Sequence, residues 1–231
     1  MNALLLSAGE GTRLIPLTLE TPKCLLPLIN DEPILKYWVD TLIEVGIQNI
    51  FINAFHLKEQ IINYVNSFEE DIKDRVSIYP EEFLEPVGMV LSNLKRVLGN
   101  PILIINSDTY IEKDEVIKFI QMAKIAPDFL ICLGIEKRDN IKGKGLVCLD
   151  KAGRVTDFIE KPDKDEPGYS YAGIMLMDSS VISSGMVKKE LTQDILPDFK
   201  HHMMAIKIGN FIDIGDSLET YYQACKRLKK K

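Results

Sequence analysis

A chain of 231 residues, 46% hydrophobic and 27% charged, has the make-up of an ordinary globular protein and is long enough for one large α/β domain. Its formal net charge of −6 gains nothing from counterion release on DNA or RNA, so no nucleic-acid partner is expected; any phosphate substrate must be held by a local cluster of donors and cations. The four cysteines, Cys24, Cys132, Cys148 and Cys225, are scattered without CxxC spacing and read as reduced thiols rather than a zinc site or a disulfide framework.

The chain starts with the short apolar run Leu4-Leu5-Leu6 and no basic residue ahead of it. That is too short for a secretion signal or a membrane span, so a cytoplasmic protein with no membrane partner is expected. Residues 2–7 read as a buried strand that runs into a glycine-bearing turn at 8–11. Ile34, Leu35, Trp38, Leu42 and Val45 keep helical spacing and stop at Gly46. A strand follows at 50–53, a helix at 58–68, a strand at 76–79 and a helix at 90–98. Residues 101–105 form a wholly apolar strand, the pattern of one covered on both faces, and stop at Asn106-Ser107-Asp108.

After a helix at 113–124 the texture changes, and strand-like stretches crowd together at 129–135, 144–149, 154–160 and 169–177. Strands at 205–208 and 211–214 precede a final helix over about 216–228, whose start Asp216 is expected to cap. The terminal run from Lys226 to Lys231 reads as the solvated end of that helix, with cations at its C-terminus. Alternating strands and helices argue a Rossmann-like α/β fold with a doubly wound, mostly parallel sheet and a small β-rich lobe. No linker divides the chain, so residues 1–231 are expected to be a single domain with halves of about 1–125 and about 126–231.

The loop Ser7-Ala8-Gly9-Glu10-Gly11-Thr12-Arg13-Leu14 starts like a dinucleotide-binding GxGxxG, but Leu14 stands where the third glycine belongs. No acidic ribose ligand follows the next strand, where Asn53-Ala54-Phe55-His56 is found, and a GxxxxGK[ST] phosphate loop cannot be laid on these residues. The loop becomes specific through its continuation, Arg13-Leu14-Ile15-Pro16-Leu17-Thr18 and then Thr21-Pro22-Lys23-Cys24-Leu25-Leu26-Pro27. GxGTRLxPLT followed by PKxLLP resembles the signature of the sugar-phosphate nucleotidyltransferase family, whose members make nucleotide-activated sugars. The resemblance runs from Asn2 to about Ala224.

It implies a nucleotide-binding first half and a sugar-binding lobe in the second. Ala8, Gly9, Gly11 and Thr12 would line the triphosphate, with the glycines letting backbone N–H groups approach its oxygens. Arg13 offers a planar fork to the β- and γ-phosphates, and Lys23 a point charge for the α-phosphate and the incoming sugar phosphate. Asp108 ends the apolar strand, where ligands bind in open parallel sheets. The resemblance makes it a metal ligand, and Asp213, in the D-I-G-T-like segment Asp213-Ile214-Gly215-Asp216, the second. Two carboxylates completed by phosphate oxygens suit Mg2+. Phe158-Ile159-Glu160-Lys161-Pro162 resembles the family's F-x-E-K-P, which implies that Glu160 binds sugar hydroxyls and Lys161 the sugar phosphate. Gly145 and Gly173 are the implied sugar-side glycines, and Gly88 the implied base contact, with bulkier neighbours than the family's G-T-A-G.

The implied reaction is attack of a sugar-phosphate oxygen on the α-phosphorus of a nucleoside triphosphate, with pyrophosphate leaving. A phosphate monoester has a second pKa of about 6, so the nucleophile needs no general base. The expected partners are a nucleoside triphosphate and a sugar 1-phosphate, with a homo-oligomer left open. Mannose or heptose 1-phosphate with GTP, and an N-acetylated sugar 1-phosphate with UTP, are the expected pairs. One alternative is a phosphocholine-type cytidylyltransferase, with Tyr169 and Tyr171 helping to cage a quaternary amine. Another is a non-catalytic regulatory homologue. His56, His201 and His202 lie outside the motifs and read as surface or packing residues.

Overall fold

The computed structural model describes residues 1–126, 128–163 and 165–229, so the last two residues of the terminal lysine run, Lys230 and Lys231, lie outside the described residues. Two compact units share the chain: Met1–Leu84, Ile105–Tyr110 and Ile212–Lys231 form the first, Glu85–Ile104 and Ile111–Phe211 the second. The units interleave along the sequence, and the final helix belongs to the first.

The first unit is built on parallel strands. Asn2–Leu6 pairs with Ile50–Ala54, which pairs with Val76–Pro80, in a register that sets Leu5 opposite Ile52 and Ile52 opposite Ile78. Ala3, Leu4, Leu5, Ile50 and Ile52 are all fully buried, as expected of strands covered on both faces. The helix Ile34–Glu44 turns Ile34, Leu35, Trp38, Val39 and Leu42 into the core. Trp38 also has a polar end to satisfy, and its Nε1–H donates to the Thr109 carbonyl at 2.8 Å. A core indole thus fixes the strand Thr109–Ile111 that begins directly after Asp108.

The final helix, Leu218–Leu228, buries the stripe Tyr221, Ala224 and Leu228, and the Tyr221 hydroxyl donates to Pro27 O at 2.6 Å. Here one expectation is corrected. Ser217, not Asp216, caps this helix, its Oγ accepting from Thr220 N–H at 3.1 Å. The helix starts at Leu218, later than the apolar spacing suggests, so the extended capping position falls on the serine and Asp216 is left outside it. Lys229 ends the described chain against Asp31, at 2.7 Å.

The second unit is β-rich and mixed. Ile131–Arg138 lies antiparallel to Gly168–Met177 and parallel to Met203–Lys207. Leu146–Leu149 pairs antiparallel with Val155–Ile159 and with Gly168–Met177. The long strand shifts register between Tyr171 and Met175, where Gly173 takes the left-handed φ of 73° that suits a bulge. The helix expected at 90–98 starts at Val87, so Gly88 lies in its first turn. Among the described residues no helix is long and apolar enough to cross a membrane.

Burial divides the cysteines into two pairs. It pushes the thiols of Cys24 and Cys132 up to about 12 and about 11, whereas Cys148 and Cys225 are only half-buried. A disulfide-exchange reagent such as Ellman's at pH 8 should modify Cys148 and Cys225 in the folded protein and reach Cys24 and Cys132 only after denaturation; peptide mapping of the modified sites checks this.

Candidate active site

The glycine-bearing loop is held from several sides. Where the first strand ends, Ser7 N–H donates to Asn53 Oδ1 at 2.8 Å, and His56 N–H donates to Ala8 O at 3.3 Å. Gly11 has φ 66°, and a Cβ there would lie 2.8 Å from Thr18 Cγ2, so both conformation and space call for glycine. The buried Thr18 donates its Oγ1–H to Gly11 O at 2.9 Å, and His56 Nε2–H donates to Thr18 O at 2.7 Å. His56 is therefore a packing residue of the loop. The turn Thr12–Leu14 buries Leu14 completely and sends Arg13 outward. The leucine that breaks the dinucleotide pattern is the anchor that aims the arginine.

Lys23 opens a second turn, Lys23–Leu25, behind Pro22 and above the buried Cys24. Its Nζ lies 2.5 Å from Asp108 Oδ2, with both side chains mostly out of water. Asp108 is carried by Ser107, whose N–H and Oγ–H both donate to Leu6 O, at 3.1 and 2.9 Å. From the far end of the chain, Ile214 N–H donates to Asp108 O at 3.1 Å, which brings Asp213 beside Asp108. Gly215 follows, packed so closely that a Cβ would stand 2.4 Å from Asp108 Oδ2 and 3.1 Å from Lys23 Nζ. Asp216 reaches Arg13 at 3.5 Å. The structure thus gathers Arg13, Lys23, Asp108 and Asp213 in the first unit.

Burial alone would raise the Asp108 carboxyl, but the Lys23 ammonium, and after it the Arg13 guanidinium, outweigh burial and hold it below the ordinary carboxylate range. A depressed carboxyl stabilises the fold fully above its ordinary value of 3.8 and loses that contribution only as pH falls below it. The Asp108 carboxyl is therefore ionised at neutral pH.

The other sequence-derived residues lie in the second unit. A Cβ on Gly145 would meet Phe158 Cζ at 2.8 Å and Glu160 Oε2 at 3.3 Å, and Tyr171 N–H donates to Gly145 O at 3.2 Å. Gly145, Glu160 and the strand leading to Gly173 are thereby neighbours. Lys161 takes a left-handed φ of 47° and lies 3.9 Å from Glu160, with its ammonium largely exposed. Gly88 stands apart from this group. Its N–H donates to Lys189 O at 2.9 Å, and a Cβ would fall 1.9 Å from Met186 O, so its missing side chain admits the 186–189 backbone.

Three site residues have partners that the sequence motifs do not foretell. Asp216 pairs with Arg13, and Asn53 holds Ser7 while donating to the buried Glu81 at 2.7 Å. The signal for Asn53 was a polar residue closing an apolar strand; nothing in Glu81-Glu82 says which of the two is buried. Among the described residues no group of three or more His, Cys, Asp or Glu is arranged to hold a metal.

Compared with known proteins, the chain matches the family model described as nucleotidyl transferase over residues 2–230. It is 30% identical over 229 residues to a protein of Oryza sativa subsp. japonica named probable mannose-1-phosphate guanylyltransferase 3, covering 93% of this chain and 61% of that protein. It is 27% identical over 226 residues to the bifunctional protein GlmU of Methanococcus vannielii, covering 98% of this chain and 49% of that one. The chain thus spans 49% to 61% of the length of these curated relatives. The crystal structure of HddC from Yersinia pseudotuberculosis complexed with GMP-PN superposes with a TM-score of 0.81 at 26% identity, over 99% of both chains.

Gly215→Ala should push a methyl group into the Lys23–Asp108 pair and cost about 1–3 kcal/mol of stability, the usual range for overpacking. Urea unfolding at pH 7 measures it. The loss should shrink when Lys23→Ala is also present, since the shorter side chain makes room.

Proposed function

The chain belongs to the nucleotidyl transferase family, and on that premise we propose that it joins a nucleoside triphosphate to a sugar 1-phosphate, releasing pyrophosphate and leaving a nucleotide-activated sugar. The observation that carries this reading is the convergence of Arg13, Lys23, Asp108 and Asp213 from three separate stretches of chain. Two cations and two carboxylates beside an open, glycine-bearing backbone loop make a binding place for phosphate rather than for a neutral ligand.

In this reading the backbone N–H groups of the 8–11 loop and Thr12 hold the triphosphate. Arg13 takes the β- and γ-phosphates that depart as pyrophosphate, and in doing so exchanges Asp216 for a phosphate oxygen. Lys23 lies between Asp108 and the transferring α-phosphate and offsets its negative charge. The sugar phosphate attacks already deprotonated, so the residues position and neutralise rather than abstract a proton. Glu160 and the backbone at Gly145 and Gly173 hold the sugar, and Lys161 its phosphate.

The donor set fits magnesium: two carboxylates and neither thiol nor imidazole, with Ile214 N–H on Asp108 O bringing the second carboxylate to the first. Asp108 and Asp213 would hold it, and when bound it supplies charge neutralisation on the phosphates.

The relatives named for mannose-1-phosphate guanylyltransferase and the neighbour complexed with GMP-PN favour GTP over UTP and mannose 1-phosphate as acceptor, with heptose 1-phosphate kept as the second expected acceptor. A sugar is also favoured over phosphocholine. The Lys207 ammonium lies 5.2 Å from the centre of the Tyr169 ring, so a protein cation already occupies one face of that ring. Substrates of this kind are cytoplasmic metabolites, in agreement with a cytoplasmic enzyme.

The test is pyrophosphate release from purified protein with magnesium, each of GTP, UTP, CTP, ATP and dTTP, and a panel of sugar 1-phosphates together with phosphocholine. Release with GTP and mannose or heptose 1-phosphate is the expected result; release only from CTP and phosphocholine would overturn it. Asp108→Asn and Lys23→Ala should fold and yet lose about 10²–10³ in turnover, as when one group stabilising transferring charge is removed.

A further inference from the structure

A carboxyl group wholly removed from water demands an account, because burying it is costly unless its hydrogen bonds are met. Glu81 is such a group, at 0% exposure, directly after the strand Val76–Pro80. Asn53, near the end of the neighbouring strand, is 3% exposed. Asn53 Nδ2–H donates to Glu81 Oε1 at 2.7 Å, while Asn53 Oδ1 accepts from Ser7 N–H at 2.8 Å. Glu81 is itself pinned by its backbone. Its N–H donates to Ala54 O at 2.8 Å, and Lys58 Nζ donates to its carbonyl at 2.8 Å.

A side-chain amide has one donor end and one acceptor end, and the two look alike to packing forces. Turned over, Asn53 would aim its NH2 group at the Ser7 N–H, donor against donor. The carboxyl oxygen of Glu81 accepts, so it selects the orientation in which Oδ1 faces Ser7. An apolar residue at either position would pack at lower cost but could not make that selection.

We propose that Asn53 and Glu81 are positioning residues for the triphosphate loop. This inference rests on the nucleotide reading given above. Glu81 orients the Asn53 amide, Asn53 holds Ser7 N–H, and that bond fixes where the backbone leaves the first strand and turns through Ala8–Gly11. Both residues are buried beneath the loop and act on the triphosphate through it, by setting the direction of its N–H groups. The sugar phosphate depends on other residues and gains nothing from this pair.

The chemistry allows a swap of polarity. Asn53→Asp sets acceptor against acceptor across the 2.7 Å contact. Adding Glu81→Gln restores a bond in the reverse sense: the introduced amide NH2 donates to one oxygen of the introduced carboxylate, and the other oxygen still accepts from Ser7 N–H. Glu81→Gln alone keeps an acceptor and is the conservative control. Triphosphate affinity is measured by calorimetry with magnesium and each of GTP, UTP, CTP, ATP and dTTP; KM for triphosphate and for sugar phosphate is measured beside it.

Asn53→Asp should weaken triphosphate binding by about tenfold or more, the scale of a buried hydrogen bond turned repulsive, and leave KM for the sugar phosphate unchanged. The double variant and Glu81→Gln should each return to within about threefold of wild type. Should Asn53→Asp not fold, Asn53→Ser removes both bonds without adding charge and is read in the same way. Wild-type affinity in the Asn53 variant, a double variant no tighter than Asn53→Asp, or an equal rise in both KM values would overturn the inference while leaving the nucleotide reading intact. A wild-type protein that binds none of the five triphosphates would overturn both.

Discussion

The Lys23 ammonium lies 2.5 Å from Asp108 Oδ2, with both groups mostly out of water. Placed there alone, either charge would cost the fold stability, so the two are best delivered together. That requirement explains much of the first unit. Pro22 and the buried Cys24 set the turn that carries Lys23. Ser107, with two bonds to Leu6 O, sets Asp108 at the end of its strand. Gly215 is glycine because the pair fills the space where its side chain would be. The last segment of the chain therefore closes over a site begun by the first.

The same arrangement leaves both cations of the site paired before any ligand arrives. Arg13 faces Asp216 and Lys23 faces Asp108, so two cations are matched by two carboxylates, with Asp213 beside them. A protein of net charge −6 has little long-range attraction for a triphosphate, so on the proposed reading the site works by short-range exchange of partners. Carboxylates that hold the cations in place while they wait are suited to that.

Much of this was legible in the sequence because it rests on local rules. Apolar runs gave the parallel strands, helical spacing gave Ile34–Glu44, and the motif residues Arg13, Lys23, Asp108 and Asp213 do converge. What was not legible depends on partners remote in the chain. Asp216 and Ser217 are both good caps by type, and only the extended backbone at Ser217 decides between them. The resemblance implies a base contact at Gly88, and the carbonyl that requires a glycine there belongs to Met186, far along the chain. Glu81 and Glu82 are indistinguishable until Asn53 on the neighbouring strand selects one.

The contact between Arg13 and Asp216 has a consequence for how the site responds to its medium. The two side chains are 59% and 35% exposed, so their attraction is weak and readily screened by dissolved ions. A polyanion binding to a solitary arginine would weaken steeply as salt is added. Here added salt also loosens the carboxylate that the polyanion must displace, and the two effects oppose each other. On the nucleotide reading proposed above, that loosening partly offsets the loss of triphosphate binding as ionic strength rises.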